Sequence, residues 1–507
     1  MKKLPIGKQD FESLINGNYV YVDKTEIIYN LISSGSVYFL SRPRRFGKSL
    51  LVSTLKEIFS GNKELFKGLW IYDKHTFKKH PIIHIDFSEI SKRDIPLKEA
   101  IIGALNKIAA ENGVAISDKD CGQSFNELIK ELSKSEKVVI LIDEYDKPII
   151  DYMTQIDTAI AHRDILKNFY SVLKPNDEHI EFLFITGVSK FSKVSIFSDL
   201  NHLHDISMHE KYTTLTGYTL EELNTYFKEE IELLKIRFDA GDVMEKIKLW
   251  YNGYSWDGIQ FVYNPFSMLN FFSQQRFSDF WFETGTPTFL MNLFKNNNYE
   301  IPKLENIVVN AEVFNQYTLE NLEILPLLFQ TGYITVKAYD YEKGKYILGY
   351  PNEEVKRAFY RHLLARFDDK TLDTNAIIIT SIIDHLNANE IPEFIQRMRS
   401  LYKSVSYPLI DNQERYYHTI FYCVIKMMGF DIETEVLTSD GRIDAVIKTE
   451  KYIYVIEFKM GKAQEAIEQI QKKQYHLKYA NENGKQLILM GIGFDEATKN
   501  IEDWMVV

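Results

Sequence analysis

Cysteine is nearly absent: the 507 residues contain two, Cys121 and Cys423. Two thiols can build neither a disulfide framework nor a four-thiolate zinc site, and their scarcity suits a reducing compartment in which both are buried. Positive charge is also short. Lys and Arg number 60 against 71 Asp and Glu, a formal net charge of −11, which argues against a protein that coats nucleic acid by charge alone. Any nucleic-acid site must be local. No apolar run approaches the ~18 residues needed to span a bilayer. The opening Met1-Lys2-Lys3-Leu4-Pro5 runs into Gln9-Asp10 rather than an apolar stretch, so no signal peptide or membrane partner is expected and the cytoplasm is the expected location. Internal repeats, low-complexity tracts and long linkers are lacking too, leaving domain boundaries to be read from changes in periodicity.

What is present is globular composition, with hydrophobic residues at 45% and charged residues at 26%, enough for several cores. At one to two hundred residues per domain the length suggests roughly three domains. Aromatics are abundant but scattered, as cores and interfaces use them. Up to about residue 210, short apolar runs alternate with helical stretches: 37–40, 82–86, 138–142 and 182–185. That pattern predicts a buried parallel sheet with crossover helices. A mostly helical region with aromatic punctuation follows, closed by a small hairpin formed by Gly332-Tyr-Ile-Thr335 and Lys345-Tyr-Ile-Leu348. Helices are expected over about 352–402, and beyond Tyr407 a helix, strands and a last helix. The expected division is 1–210, 211–350, 351–402 and 403–507.

The sharpest N-terminal feature is Ser41-Arg-Pro-Arg-Arg-Phe-Gly-Lys-Ser49, set between an apolar strand and a helical stretch. A phosphate-binding loop needs backbone amides turned inward, a lysine reaching the terminal phosphates and a hydroxyl for Mg²⁺. Gly47, Lys48 and Ser49 meet that need, although Arg42 stands where a first glycine belongs. Arg42, Arg44 and Arg45 either contact phosphate directly or pair with carboxylates at the sheet edge. Farther on, Lys137-Val-Val-Ile-Leu-Ile-Asp-Glu-Tyr-Asp146 is an apolar strand ending in adjacent carboxylates. Asp143 can hold Mg²⁺ there and Glu144 can orient a water for attack on a γ-phosphate; the same pattern also reads as a buried strand with an acidic turn. A third strand ends in Thr186, a candidate γ-phosphate sensor or a turn former. Asp23-Lys-Thr-Glu26 has the form of a capping box.

Leu4-Pro-Ile-Gly7, Tyr21-Val-Asp-Lys-Thr25, the 41–50 loop, Ile142-Asp-Glu-Tyr-Asp-Lys-Pro148 and Thr186-Gly-Val-Ser-Lys-Phe191 together resemble the predicted AAA-ATPase-like family. The resemblance covers nearly the whole chain. It implies an α/β P-loop NTPase domain of AAA or STAND type, a helical lid with a winged-helix-like region, and a C-terminal nuclease-like domain. Within that family the Arg-Pro-Arg-Arg-Phe loop is usual. The resemblance implies ATP as ligand, with Arg45, Gly47, Lys48, Ser49, Asp143 and Thr186 around it and Ser49 and Asp143 on the metal. Thr284-Gly-Thr-Pro287 is similar to an element with which related signalling ATPases touch the nucleotide from a lid, and is also an ordinary helix start.

The second constellation is Gly441-Arg-Ile-Asp444, a polar turn, and Tyr452-Ile-Tyr-Val-Ile-Glu-Phe-Lys459. With Glu450 and Lys451 as the central pair of the turn, antiparallel pairing sets Asp444 opposite Glu457, and Lys459 projects to the same face. Two carboxylates and a lysine on one face suit phosphodiester hydrolysis: Mg²⁺ (or Mn²⁺) on Asp444 and Glu457, with Lys459 at the attacking water. The arrangement resembles the PD-(D/E)XK nuclease superfamily, of the restriction-endonuclease-like α/β fold, with Ile443 in place of its namesake proline. That resemblance implies a further metal-binding acid, Glu414, and a supporting Gln-x-x-x-Tyr pair, Gln471 and Tyr475, which helical spacing would set on one face. From Leu401 on there are 13 Lys and Arg against 16 Asp and Glu, unusual for a domain holding DNA. Lys472, Lys473 and Lys478 are a candidate phosphate-facing patch or a solvated face.

The leading expectation is an enzyme, an ATP-binding and hydrolysing switch controlling a Mg²⁺-dependent DNA nuclease. The family resemblance suggests mobile-element control or defence. The alternative is a regulatory STAND-type ATPase whose C-terminal domain binds nucleic acid or protein without cleaving. A transcription regulator using 300–345 as a winged helix lacks a basic recognition helix. Self-association into a homo-oligomer stays open.

Overall fold

The computed structural model describes residues 2–90, 94–117, 120–190, 196, 197, 200–238, 243–281, 304–314, 323–367, 381–404, 420–422, 424, 425, 431–438, 441–480 and 484–507. The chain forms two compact units, Met1–Phe289 with Asn306–Glu354, and Leu290–Glu305 with Val355–Val507.

In the first unit β1 (Val37–Ser41), β2 (Ile82–Asp86), β3 (Val138–Asp143), β4 (Ile180–Gly187) and β5 (His204–Asp205) run parallel in the order β2-β3-β4-β1-β5. Each apolar run picked out in this region of the sequence is a strand. β1 and β3 are buried at every residue, whereas the edge strand β2 alternates half-buried and buried. That is the signature of a parallel sheet covered by helices on both faces. Because side chains alternate, Phe39, Ile140, Ile142 and Ile185 enter one core with helices Leu97–Glu111, Cys121–Ser133 and Ile156–Ser171. Leu40, Val139, Leu141 and Phe184 enter the other, beneath Phe11–Asn16, Thr25–Ser34 and Lys48–Phe59. The strand order inserts β4 between β1 and β3, so the carboxyl ends of these three strands lie side by side, where open α/β sheets bind their ligands.

The helices Leu220–Tyr226, Lys228–Arg237, Val243–Tyr251 and Pro265–Gln274 follow, packed around Phe227, Tyr251, Phe271 and Phe272. Thr219 and Glu222 form a complete capping box at the first of them. β6 (Ile307–Asn310), β7 (Thr335–Asp340) and β8 (Lys345–Gly349) make an antiparallel sheet ordered β6-β8-β7. The expected hairpin is present, but it starts at Thr335 rather than Gly332. Gly332, at φ +89°, terminates the helix Ile324–Thr331, as a left-handed glycine does. The expected box at 23–26 is likewise revised: the helix begins at Thr25, and Asp23 instead accepts from the backbone N–H and hydroxyl of Thr25 and from the Trp70 N–H.

In the second unit β9 (Asp431–Thr438), β10 (Gly441–Lys448), β11 (Tyr452–Met460), β12 (Gln486–Asp495) and β13 (Asn500–Val506) form one sheet, ordered β13-β12-β11-β10-β9. Only β11 and β12 are parallel, joined by the crossover helix Ala463–Lys472. The expected order beyond Tyr407, a helix, strands and a last helix, lacks β12 and β13, which follow this helix. Gly491 and Gly493 break up the apolar run of β12, for a reason that is tertiary. A Cβ at 491 would stand 2.4 Å from the Ala463 carbonyl oxygen and one at 493 would stand 2.1 Å from that of Gly461, so glycine admits the close approach of the helix start. Among the described residues no helix is long and apolar enough to cross a membrane.

Candidate functional site

The loop after β1 carries two left-handed residues, Arg45 (φ +68°) and Gly47 (φ +84°). Gly47 caps the helix Lys48–Phe59, and such turns direct successive amides to one side as an anion-binding nest. A Cβ built on Gly47 would meet nothing within 4 Å, so it is the left-handed backbone rather than crowding that calls for glycine here. Lys48 is buried, and its ammonium donates to the carbonyls of Arg42 (3.0 Å) and Pro43 (3.1 Å). Burial lowers its pKa, against the opposing pull of Asp143, Glu144 and Asp146.

Asp143 ends β3 and is buried. Burial pushes its carboxyl up to about 6; the Ser49 hydroxyl donating to it and the charge of Lys48 pull the other way, while Asp86 and Glu144 add repulsion. Glu144 is half-buried with φ +51°, and its N–H donates to Asp143 Oδ1 at 3.0 Å. A left-handed glutamate is uncommon, and such a conformation persists only where the surrounding structure fixes it. The Oγ1 of Thr186, at the end of β4, is buried with no partner among the described residues. The structure therefore brings Lys48, Ser49, Asp143, Glu144 and Thr186 to the same end of the sheet.

The arginines divide. Arg42 is not at the phosphate side: its guanidinium donates to the carbonyls of Ser41 (3.0 Å), Ser207 (2.6 Å) and Tyr212 (3.2 Å) and lies 3.8 Å from the Trp256 ring centre. Burial lowers its pKa to about 9. Its hydrogen bonds tie the loop to distant backbone, which corrects the phosphate reading for this residue, while the charges of Asp205, at the end of the edge strand β5, and Asp257 oppose the effect of burial on it. Arg44 and Arg45 are exposed, with Arg45 over the Phe266 ring. Asp146 accepts from Val188 N–H and from the N–H and hydroxyl of Ser189, both 2.6 Å. It fastens the turn bearing Glu144 to the end of β4. Thr284–Pro287 lies outside the described residues.

In the second unit the register of β10 against β11 pairs Ala445 with Ile456 and Lys448 with Ile453. Continued by one step, it sets Asp444 opposite Glu457, as the turn predicts. The pairing closes with the Phe458 N–H donating to Asp444 Oδ2 at 2.9 Å. Glu457 is buried and Lys459 Nζ stands 3.6 Å from its Oε1. Among the described residues its buried Oε2 has no hydrogen-bond partner. Burial, and then the charge of Asp444, push the Glu457 carboxyl up to about 8, against Lys459. Two carboxylates with an orphaned oxygen are a donor set that fits a hard divalent cation. Among the described residues no group of three or more His, Cys, Asp or Glu could hold a metal, and Glu414 lies outside them.

The supporting pair is corrected. The helix ends at Lys472, Gln474 turns left-handed, and Tyr475 opens a 3₁₀ turn, so Gln471 and Tyr475 do not share a helical face. Gln471 is exposed, and Tyr475 is buried in the core with Ile443, Val446 and Ile467. Gln469 instead donates to Glu457 Oε1. Its signal was in the sequence: Ala463, Ala466, Ile467 and Ile470 mark the buried stripe, and Gln469 borders it.

A family model described as predicted AAA-ATPase matches residues 5–197, and one for the PD-(D/E)XK nuclease superfamily matches residues 412–504. The chain is 37% identical over 523 aligned positions, covering 100% of it and 99% of the relative, to a protein of Azotobacter chroococcum mcd 1 described as an uncharacterized protein in the vnfD 5′ region. No solved structure matches. The chain belongs to the family of predicted AAA-ATPases that carry a PD-(D/E)XK nuclease-superfamily domain at the C-terminus.

Proposed function

We propose that this protein binds and hydrolyses ATP at the Gly47–Ser49 loop and that the nucleotide state licenses phosphodiester cleavage of DNA at Asp444, Glu457 and Lys459. The observation that carries the reading is the buried, unpartnered Oε2 of Glu457 beside a second carboxylate and a lysine. Such a group is costly unless a cation completes it.

At the loop, the amides of Gly47 and its neighbours take phosphate oxygens and Lys48 exchanges its two carbonyls for the terminal phosphates. Ser49 and Asp143 are the residues that would hold Mg²⁺, which when bound neutralises charge developing on the phosphates. Glu144 accepts the proton of the attacking water, held in place by its short turn and by Asp146. Thr186 offers its free hydroxyl to the γ-phosphate. In the second unit Asp444 and Glu457 would hold Mg²⁺ or Mn²⁺, Gln469 fixes the Glu457 carboxylate, and Lys459 orients the attacking water or stabilises the charge on the cleaved phosphate. A role in mobile-element control or defence is in keeping with these two chemistries on one chain.

A second reading, in which the C-terminal domain binds nucleic acid without cutting it, is favoured by one observation: burial, and then the charge of Asp444, push the Glu457 carboxyl up to about 8, which disfavours the ionised form that a metal ligand needs. Supercoiled plasmid incubated with Mg²⁺ or Mn²⁺, with and without ATP, separates the two. Wild type should nick or linearise it and Lys459→Ala should not; cleavage by neither under any condition sinks the nuclease. Lys48→Ala should weaken ATP binding roughly 10- to 100-fold, as expected for a lost charged hydrogen bond, and an undiminished affinity refutes the placement of the phosphates.

A further inference from the structure

β2 is an edge strand, with β3 on one side and, among the described residues, no strand on the other. The Val139 N–H donates to the Pro81 carbonyl, and the parallel register runs from Ile82 with Val139 to Asp86 with Asp143. Successive residues of a strand direct their backbone groups to opposite sides, so Ile83 and Ile85 complete the ladder with β3. The N–H and C=O groups of Ile82 and His84 point outward, where they have no hydrogen-bond partner among the described residues. Proteins usually blunt such an edge with a proline, a bulge or a lysine within the strand. Ile82-Ile-His-Ile-Asp86 has none of these and pairs with β3 without a register shift.

This edge lines an open groove of about 740 Å³, within the ordinary size range of a ligand site. Lys56 and Ser60 of the helix Lys48–Phe59 and its end form one wall, and Ala104, Lys107 and Ile108 of the helix Leu97–Glu111 form the other. Those helices cover opposite faces of the sheet, so the groove crosses the edge with Ile82, His84 and Asp86 between its walls. Walls on both sides admit a single extended chain more readily than another sheet edge, which would bring covering helices of its own. Charge is divided along the strand. Lys79 precedes it, and Lys56 lies one turn before the end of Lys48–Phe59, where the Phe59 carbonyl accepts from the His80 N–H. Glu136, at the same end, is matched by Lys78 at 2.8 Å. Asp86 closes the strand and Glu89 follows it. His84 feels both signs: burial, and then the charge of Lys56, lower its pKa, while Asp86 and Glu89 oppose them. Lys107 and Glu111, four residues apart on the other wall, offset each other.

We propose that this groove captures an extended peptide segment of a partner protein as an added strand of the sheet, with a carboxylate of the segment over Lys56 and Lys79 and a cation over Asp86 and Glu89. Backbone pairing with Ile82 and His84 supplies the hold, and the two end charges select the segment and fix its direction. Five residues of strand span about 17 Å, so the segment is short. Its cationic end adjoins the first unit's carboxylate cluster: Asp86 pairs in register with Asp143, and its charge helps to raise the Asp143 pKa.

Fluorescence anisotropy of the full chain with two labelled octapeptides tests this. Both carry alternating valine and threonine between a pair of aspartates and a pair of lysines, one with the acids first and the other with the lysines first. Wild type should bind one order roughly 10-fold more tightly than the other, and the preferred order gives the strand direction. N-methylating one alternate set of its amides should weaken the preferred probe roughly 10-fold, and methylating the other set should leave it within about twofold. Equal effects of the two sets overturn the backbone pairing. His84→Pro removes an outward N–H and no bond to β3, as an edge strand tolerates, and should lose the probe. The double variant Lys56→Glu, Lys79→Glu serves where His84→Pro fails to fold, and should lose the preference between the two orders. Binding of neither octapeptide at about 1 mM, or variants that bind as wild type does, overturns the proposal. A wild-type dimer that His84→Pro converts to monomer in sedimentation overturns it too, because the edge then belongs to a second copy of the chain.

Discussion

At the scale of single residues, Glu457 has the most direct consequence. Its carboxyl, pushed from the ordinary 4.5 up to about 8, keeps in the folded state a proton that the unfolded chain gives up. Its contribution to stability is therefore fully present below about pH 4.5 and is lost as pH rises through about 8. Glu457→Gln, which cannot ionise, should gain on wild type in metal-free thermal unfolding as pH is raised from 5 to 8. Mn²⁺ should stabilise wild type more at pH 8 than at pH 6, because proton and metal compete for one carboxylate. A difference between the two proteins that stays flat with pH would remove the buried-acid account. Gln469→Ala should lower metal affinity or cleavage roughly 10- to 100-fold, as loss of a group orienting a ligand does, with Gln469→Glu failing to restore it and Gln471→Ala without effect. The opposition of Asp444 and Glu457 was legible because a hairpin's register follows from its turn. The choice between Gln469 and Gln471 was not, because it depends on where the helix ends and which face docks on the sheet. Arg42 was beyond sequence reasoning altogether, since its partners Ser207 and Tyr212 are more than 160 residues away.

At the scale of elements, the parallel sheet was readable because β1, β3 and β4 are almost wholly buried, and burial on both faces writes continuous apolar runs. β5 has two residues and no run to read. β12 is the instructive miss. Its glycines look like breakers in a sequence and act as clearance for the helix Ala463–Lys472 in the fold. Gly493→Ala should then force that helix off the strand and lower stability by about 1–3 kcal/mol, the usual result of overpacking. Urea unfolding monitored by far-ultraviolet circular dichroism measures it. A variant as stable as wild type would mean that the contact between strand and helix relaxes freely.

At the scale of the whole molecule, the formal charge of −11 leaves little general attraction for a polyanion. Lys472, Lys473 and Lys478 are exposed around the end of the crossover helix. If that patch makes about three phosphate contacts, the slope of log affinity against log salt should be near −3. Replacing all three lysines with Gln should flatten it toward zero. A wild-type slope steeper than about −6 would place the basic surface elsewhere. On the nuclease reading, weak capture of bulk DNA is itself a form of restraint, since each encounter is then short-lived.

The resting position of Lys48 has a kinetic meaning. Its ammonium already lies against the carbonyls of Arg42 and Pro43, so the side chain is immobilised before any phosphate arrives. The roughly 0.5–1.5 kcal/mol of rotamer entropy that a free lysine forfeits on engagement is spent during folding rather than during association. On the nucleotide reading, binding is then an exchange of acceptors on a rigid frame. Rapid-mixing traces with a fluorescent nucleotide should show one association phase whose rate rises linearly with concentration, and differences between nucleotides should appear in the rate of departure.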